Sequence, residues 1–254
     1  MSLPCLKGLS FGKEMLQIIK DIKERQQFAP GPLAMIMNPF YFARKELYEA
    51  ISSSSCHISG KVLDIGCGNK PYENLFNASK YVGLEIDTPE NRQNKKADFF
   101  YDGKLFPFED KSFDSIFCSQ VFEHIFNPEE FLKEANRVLQ PGGMLLMTVP
   151  FVWDEHEQPF DYARYSSFGI RHLLVAGGFE IIEHRKTLQD IRIIFQLINV
   201  YIYKAIIGSN KYLIFIVITL IMGPFNILGE LLYRIFPKNR DLYLDNVVLA
   251  KKVK

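Results

Sequence analysis

The 254-residue sequence predicts an α/β fold, a parallel sheet with helices on both faces. Three observations predict it. Short apolar runs alternate with helical patterns over residues 61–186. The stretch KVLDIGCGNKPYENLF, Lys61–Phe76, ends an apolar run in an acid and follows it with two glycines. A final apolar run, LYLDNVVLAK (Leu242–Lys251), reads as a strand returning to the sheet after a charge-poor tract.

Composition divides the chain into residues 1–60, 61–186, 187–240 and 241–254. The first segment reads as helices. Met15, Leu16, Ile18, Ile19 and Ile22 form a stripe at helical spacing, Pro30-Gly31-Pro32 breaks it, and Tyr41–Ile51 is a second helix. The core then reads in order. Lys61–Ile65 is a strand, Pro71–Phe76 opens a helix, and Tyr81–Ile86 and Ala97–Tyr101 are strands. Phe113–Ser119 is a fourth strand, Pro128–Val138 a helix, and Met144–Val149 a fifth strand. Ser167–Ala176 is a helix closed by two glycines, and Phe179–Glu183 starts the sixth strand.

Bulk properties exclude several classes. Formal net charge is +1 and no basic stripe lies beside the glycine turn, so nucleic acid is not an expected partner. The four cysteines, Cys5, Cys56, Cys67 and Cys118, form no CxxC pair. No disulfide framework and no metal is expected, and a reducing cytosol is the plain reading. MSLPCLKGLSFGKEMLQ has no continuous apolar core, so it does not read as a signal peptide.

Ligands of a parallel sheet bind at the carboxyl ends of its strands. There Gly66 and Gly68 let the backbone turn sharply and approach a ligand. A dinucleotide fingerprint would need glycine at position 71, where Pro71 stands, and a P-loop would need Gly-Lys-Ser/Thr. The loop suits a nucleotide-like ligand; a tight turn holding nothing is the competing reading. Glu85 ends the second strand, where an acid can accept both hydroxyls of a ribose. Asp102-Gly103 follows the third strand. An acid there can accept from an adenine amino group while a backbone N–H reaches a ring nitrogen.

VLDIGCG, YVGLEID, DGKLFPFEDKSFDSIFCSQVFEHI and RVLQPGG resemble the successive motifs of class I S-adenosylmethionine-dependent methyltransferases of the broad type 11 group. The resemblance covers roughly residues 60–186 and the last strand. It implies a Rossmann-like seven-stranded sheet with an antiparallel last strand, and S-adenosyl-L-methionine as cofactor. It further implies that Asp64, Gly66 and Gly68 line the methionine part, Glu85 holds the ribose, Asp102 and Gly103 face the adenine and Gln120 lies along the cofactor's edge. Where the family often has a third glycine (GxGxG), this chain has Lys70.

Methyl transfer needs alignment first, an effect of about 7–11 kcal/mol, and a base for a hydroxyl acceptor adds roughly 10²- to 10⁴-fold. Two clusters lie at the right edge. Glu123-His124 follows the fourth strand, and DEHEQPFDYARY (Asp154–Tyr165) follows the fifth. His156 is the first choice for base, oriented by Glu157 or Asp161, with His124 as a second candidate. Asp161, Arg164 and Tyr165 are candidate acceptor-binding residues. Arg164 either binds an anionic group or pairs with Asp161. The 154–165 stretch resembles one in family members acting on sugars and other polar acceptors.

The family passes from sixth to seventh strand by a short connection, whereas here residues 187–240 intervene. Tyr212–Gly229 carries no charge over nearly the ~20 residues that span a bilayer. Gly223-Pro224 and Asn226 are expected to interrupt it, and Arg192, Lys204, Lys211, Arg234, Lys238 and Arg240 flank it. The expected arrangement is an interfacial or re-entrant helical pair on the inner face of the membrane, bringing a lipid-linked glycan or sugar acceptor to the methyl donor. Two alternatives stand beside it: a soluble small-molecule methyltransferase whose apolar lid forms a homodimer, and a non-enzymatic module that only binds the cofactor.

Overall fold

A computed structural model describes residues 26–253. Cys5 and the expected Met15–Ile22 helix fall outside them. The strands are β1 (Ser59–Ile65), β2 (Asn77–Ile86), β3 (Phe99–Tyr101), β4 (Phe113–Ser119), β5 (Leu139–Pro150), β6 (Phe179–Lys186) and β7 (Asp245–Lys252). They form one sheet in the order β3-β2-β1-β4-β5-β7-β6, with β7 antiparallel to both neighbours. The expected fold class is thus found. The order reverses between β1 and β4, and the carboxyl ends of the flanking strands open there, where a ligand crevice forms.

Sequence explains the centre of the sheet. Val62, Leu63 and Ile65, then Ile116, Phe117 and Cys118, then Leu145, Leu146 and Met147 are all buried. Strands covered on both faces read as near-continuous apolar runs. One face is covered by the helix Pro128–Val138, which sets Phe131, Leu132, Ala135 and Val138 into the core beside Ile170 and Leu174 of the helix Ser167–Ala176. The other is covered by Leu47, Ala50 and Ile51 of the helix Tyr41–Ser54.

The helix expected to open at Pro71 does not form. A single 3₁₀ turn, Glu73–Leu75, joins the glycine loop to β2, which begins at Asn77. The eight residues between Gly68 and β2 are too few to repay helix nucleation. Tyr72 and Phe76 instead pin the segment by packing on Phe117, with ring centroids 5.7 and 4.9 Å apart.

Residues 187–240 hold two helices, Arg192–Ile206 and Lys211–Leu232. The break expected at Gly223-Pro224 is absent. The second helix continues through a π-helical turn, Ile218–Met222, which takes up the proline without ending the element. It is long and apolar enough to cross a membrane by length and composition, and only 22% of its most apolar window is buried. Its second half is nevertheless docked. Asn226 is fully buried, donates to Met35 O at 2.8 Å and accepts from Asn199 Nδ2 at 2.9 Å. Arg192 ties the first helix to Asp190 (2.7 Å) and Glu46 (3.0 Å). The first half of the second helix leaves Tyr212, Phe215 and Leu220 exposed, and Leu33, Ile36 and Met37 are exposed near its docked half.

Asn226→Ala removes the partner of a part-buried carbonyl, Met35 O, and of the buried Asn199 amide. It is expected to lower stability by about 1–3 kcal/mol, read as a shift of the urea midpoint. An unchanged midpoint would mean that this helix is not anchored through Asn226.

Candidate active site

The glycine loop is built by backbone geometry. Gly66 and Gly68 have φ of 69° and 52°, and Gly66 N donates to Leu84 O at 2.9 Å. A side chain at 66 would strike Val121, whereas one at 68 would project into open space. Lys70 adopts φ 57°, so this position keeps the left-handed backbone without being glycine. The strain is offset by its ammonium, 2.6 Å from Asp98 Oδ2, which also accepts from Gly83 N at 2.7 Å.

The loop opens on a cleft of about 170 Å³ lined by Asp64, Gly66, Gly68, Ser119 and Gln120, with Phe28 and Arg44 on its far side. Larger hollows of about 610 and 530 Å³ lie over β6, among Arg171, Lys186 and Arg240 and beside Val253, away from these groups. Glu85 Oε2 accepts from Gly68 N at 3.1 Å, so the acid expected to hold a ribose stands directly beside the loop. Asp102 is exposed and accepts from Lys104 N at 3.0 Å, shaping the turn that holds Gly103 at φ 85°. Pairing of Ile86 with Tyr101 sets these two acids at neighbouring strand tips. Gln120 has φ 56°, and its amide donates to Thr148 Oγ1 (3.2 Å) and Asp245 Oδ1 (3.3 Å). Cleft, open position at Gly68 and acid beside it fit an adenosyl nucleoside in outline.

Asp64 lies beneath the loop, 3% exposed, and accepts from the Tyr81 hydroxyl at 2.8 Å. Burial pushes its carboxyl up to about 8, against the donation from Tyr81. Asp245, at the start of β7, is raised to about 6 by burial, opposed by donation from Thr187 and Gln120. Neither Tyr81 nor Asp245 is legible as a site residue from sequence, because both come from strands whose partners are distant in the chain.

The acceptor side gathers His124, His156, Asp161 and Arg164. His124 Nδ1 is 2.8 Å from Phe160 O. Asp161 Oδ2 accepts from His156 N at 2.9 Å and lies 3.3 Å from its Nδ1. Burial opposes ionisation of Asp161, yet the Arg164 fork and the His156 N–H outweigh it and hold the carboxyl at about 2. Arg164 grips both Asp161 oxygens at 2.6 Å and donates to Asp154 O. Of the two orienting candidates, Asp161 contacts His156, whereas Glu157 is exposed and has no contact with it. Tyr165 packs its ring against Phe122, 5.1 Å between centroids, and its carbonyl accepts from Asn246. Sequence reading also missed the burial of Glu123. It has no exposed surface, burial raises its carboxyl to about 8, and its carbonyl receives Tyr162 N and Ala163 N.

A pH dependence follows for the ligand-free, metal-free protein. The folded chain holds the Asp64 proton more tightly than the unfolded chain. Its contribution to stability is therefore full below the ordinary carboxylate range and is lost as pH rises toward about 8. The unfolding free energy contributed by this group is expected to fall from about pH 5 to about pH 8, with a slope of at most about 1.4 kcal/mol per pH unit, read as the difference between the wild-type and Asp64→Asn pH profiles. Asp64→Asn mimics the protonated form and should flatten the slope; an unaltered slope would assign the titration elsewhere.

A family model described as a methyltransferase domain matches residues 63–147. A probable S-adenosylmethionine-dependent methyltransferase of Mycolicibacterium smegmatis is 28% identical over 157 residues, 56% of this chain and 60% of the relative. The chain therefore spans less than two thirds of that protein. Among solved structures, the [4+2]-cyclase SpnF superposes with a TM-score of 0.54 at 17% identity, covering 83% of this chain and 82% of the other. A Haemonchus contortus phosphoethanolamine N-methyltransferase complex with S-adenosylhomocysteine superposes at 0.53 and 17% identity, covering 92% of this chain and 57% of that one. These two likenesses speak to the fold alone. The ordered sheet and the glycine loop with its neighbouring acids agree with the matched domain: residues 63–147 are similar to a methyltransferase domain, and the chain resembles class I S-adenosylmethionine-dependent methyltransferases.

Proposed function

We propose that this protein methylates a hydroxyl of a sugar or lipid-linked glycan, working at the inner face of the membrane. The observation that supports the reading is that two candidate half-sites follow the carboxyl ends of the neighbouring strands β1, β4 and β5. The loop Gly66–Gly68 with Glu85 and Asp102 forms one half, and His124, His156 and Asp161 form the other. S-adenosyl-L-methionine, when bound, supplies an activated methyl group. Glu85 is suited to the ribose hydroxyls and the Asp102-Gly103 turn to the adenine. As the acceptor oxygen takes the methyl group, its proton passes to a lone pair of His156, whose imidazolium Asp161 stabilises. Arg164 acts through Asp161 as a positioning residue. Exposed Phe126, Phe160 and Tyr162 beside this half offer faces for sugar rings.

The membrane part of the reading rests on the exposed first half of the Lys211–Leu232 helix. Docking of its second half on the domain suits a helix lying in the interface better than one crossing it. Lys204 of the preceding helix pairs with Asp154 at 2.7 Å, linking the apolar region to the acceptor loop.

Two measurements test the reading. S-adenosylhomocysteine titrated by calorimetry should bind, and Gly68→Val should weaken it at least about tenfold, because the new side chain enters the ligand's space. Equal affinity in the variant would remove the loop from the site. Protein incubated with methyl-labelled cofactor and separate lipid and aqueous cell extracts should label the lipid phase. Label confined to the aqueous phase would instead support a soluble acceptor and a lid.

A further inference from the structure

We propose that Glu123, His124 and His156 form a binding site for a divalent first-row transition metal, zinc above all. One donor atom from each lies within 4.8 Å of the others. Glu123 Oε1 is 3.8 Å from His124 Nε2 and 3.8 Å from His156 Nε2, and the two rings meet edge to face at 4.8 Å. Glu123 has no exposed surface, and neither carboxylate oxygen has a hydrogen-bond partner among the described residues.

The tautomers follow from the other ring nitrogens. His124 Nδ1 faces the Phe160 carbonyl, and His156 Nδ1 faces the Asp154 carbonyl and the Asp161 carboxylate. His124 Nδ1 faces an acceptor, and at His156 Nδ1 the two acceptors at 3.3 Å lie nearer than Arg164 Nη2 at 3.5 Å, so each Nδ1 carries the proton and both Nε2 atoms present lone pairs to Glu123. Two lone pairs and a buried carboxylate thus converge with no donor between them. A proton on Glu123 can serve one imidazole; a cation serves all three groups. Imidazoles held by carbonyl and carboxylate acceptors on the far nitrogen are the arrangement that metal-binding histidines have. Two nitrogens and one carboxylate suit zinc, iron or cobalt rather than magnesium or calcium. Bond lengths near 2.0–2.2 Å require the three donors to draw together from the present spacing.

Three protein ligands leave a coordination position open. Its catalytic meaning rests on the methyl-transfer reading, but the site itself does not. With the ion in place His156 is a ligand rather than the base. Held by Glu123, His124 and His156, the ion would act as a Lewis acid on an acceptor hydroxyl at the open position, whose proton would leave to solvent as the oxygen takes the methyl group and the methyl–sulfur bond breaks with its electron pair on sulfur.

Tag-free, full-length protein stripped with a chelator is titrated with Zn²⁺ by calorimetry and with Co²⁺ by visible absorption. One ion per chain is expected, with ligand-field bands for cobalt. Glu123→Gln, His124→Ala and His156→Ala should each weaken binding at least about tenfold, and Asp161→Asn about 10- to 100-fold. His57→Ala and His172→Ala, at exposed histidines, should leave it unchanged. Circular dichroism verifies folding, and Glu123→Gln and Asp161→Asn preserve side-chain volume. Affinity unaltered in Glu123→Gln, or binding lost in the two surface variants, overturns the site. Parallel titration with S-adenosylhomocysteine separates the two readings. Protein that binds the nucleoside but no zinc refutes the metal site alone, and protein that binds zinc but no nucleoside refutes the cofactor reading alone.

Discussion

A carboxylate with no exposed surface and no hydrogen-bond partner among the described residues sits just past β4, and the acceptor half of the site is organised around it. Leaving such a group unpaired costs several kcal/mol unless it is protonated or meets a cation. The main chain of Glu123 cannot move away to relieve this, because its carbonyl receives two N–H groups from the 154–165 loop. The loop is held in turn by the Arg164 fork on Asp161. Glu123, His124 and His156 therefore face one another because the backbone on either side is tied, and the chemistry of that meeting is the tension the site contains.

The cofactor half rests on a different logic. Its groups are mostly backbone, and its buried acids have partners, Asp64 in the Tyr81 hydroxyl and Asp245 in Thr187 and Gln120. The loop is fixed by Gly66 bonding across to β2 and by Lys70 reaching Asp98, a rigid turn whose open side is at Gly68. Rigidity suits this half, since aligning two reactants depends on holding one of them still. The other half sets exposed aromatic side chains, Phe126, Phe160 and Tyr162, beside its tied polar cluster.

What sequence could reveal divides along the same line. Strand alternation, the glycine loop and the acids at strand tips are local patterns, and they read directly from residues 61–119. The helix expected at Pro71 failed because the tertiary pull of Phe117 on Tyr72 and Phe76 overrode a plausible local start. The break expected at Pro224 failed because a π turn absorbs a missing N–H without ending a helix. His156 and Asp161 were legible as a polar cluster, but their pairing was not. The choice between Glu157 and Asp161 depends on how the loop folds back, and both stand within five residues of the histidine. The burial of Glu123 was hidden for a stronger reason: a glutamate beside a histidine in sequence looks solvated until β4 and the loop after β5 close over it.

The apolar helices gain meaning from where they attach. They leave the sheet after β6 and return at β7, and Asp245 at that return touches Gln120 at the cofactor edge. Phe40 packs on both Trp153 and Tyr203, with centroids 6.1 and 5.1 Å apart, joining the acceptor loop to the first inserted helix. Lys204 reinforces the same junction through Asp154. Asp154 lies two residues from His156, and its carbonyl receives Arg164. A force on the exposed apolar surface would thus reach the histidine through packed rings, one ion pair and one guanidinium. Under the proposed function, seating that surface on lipid would also set the posture of the acceptor loop, so that docking and the arrangement of the reacting groups are parts of one rigid connection.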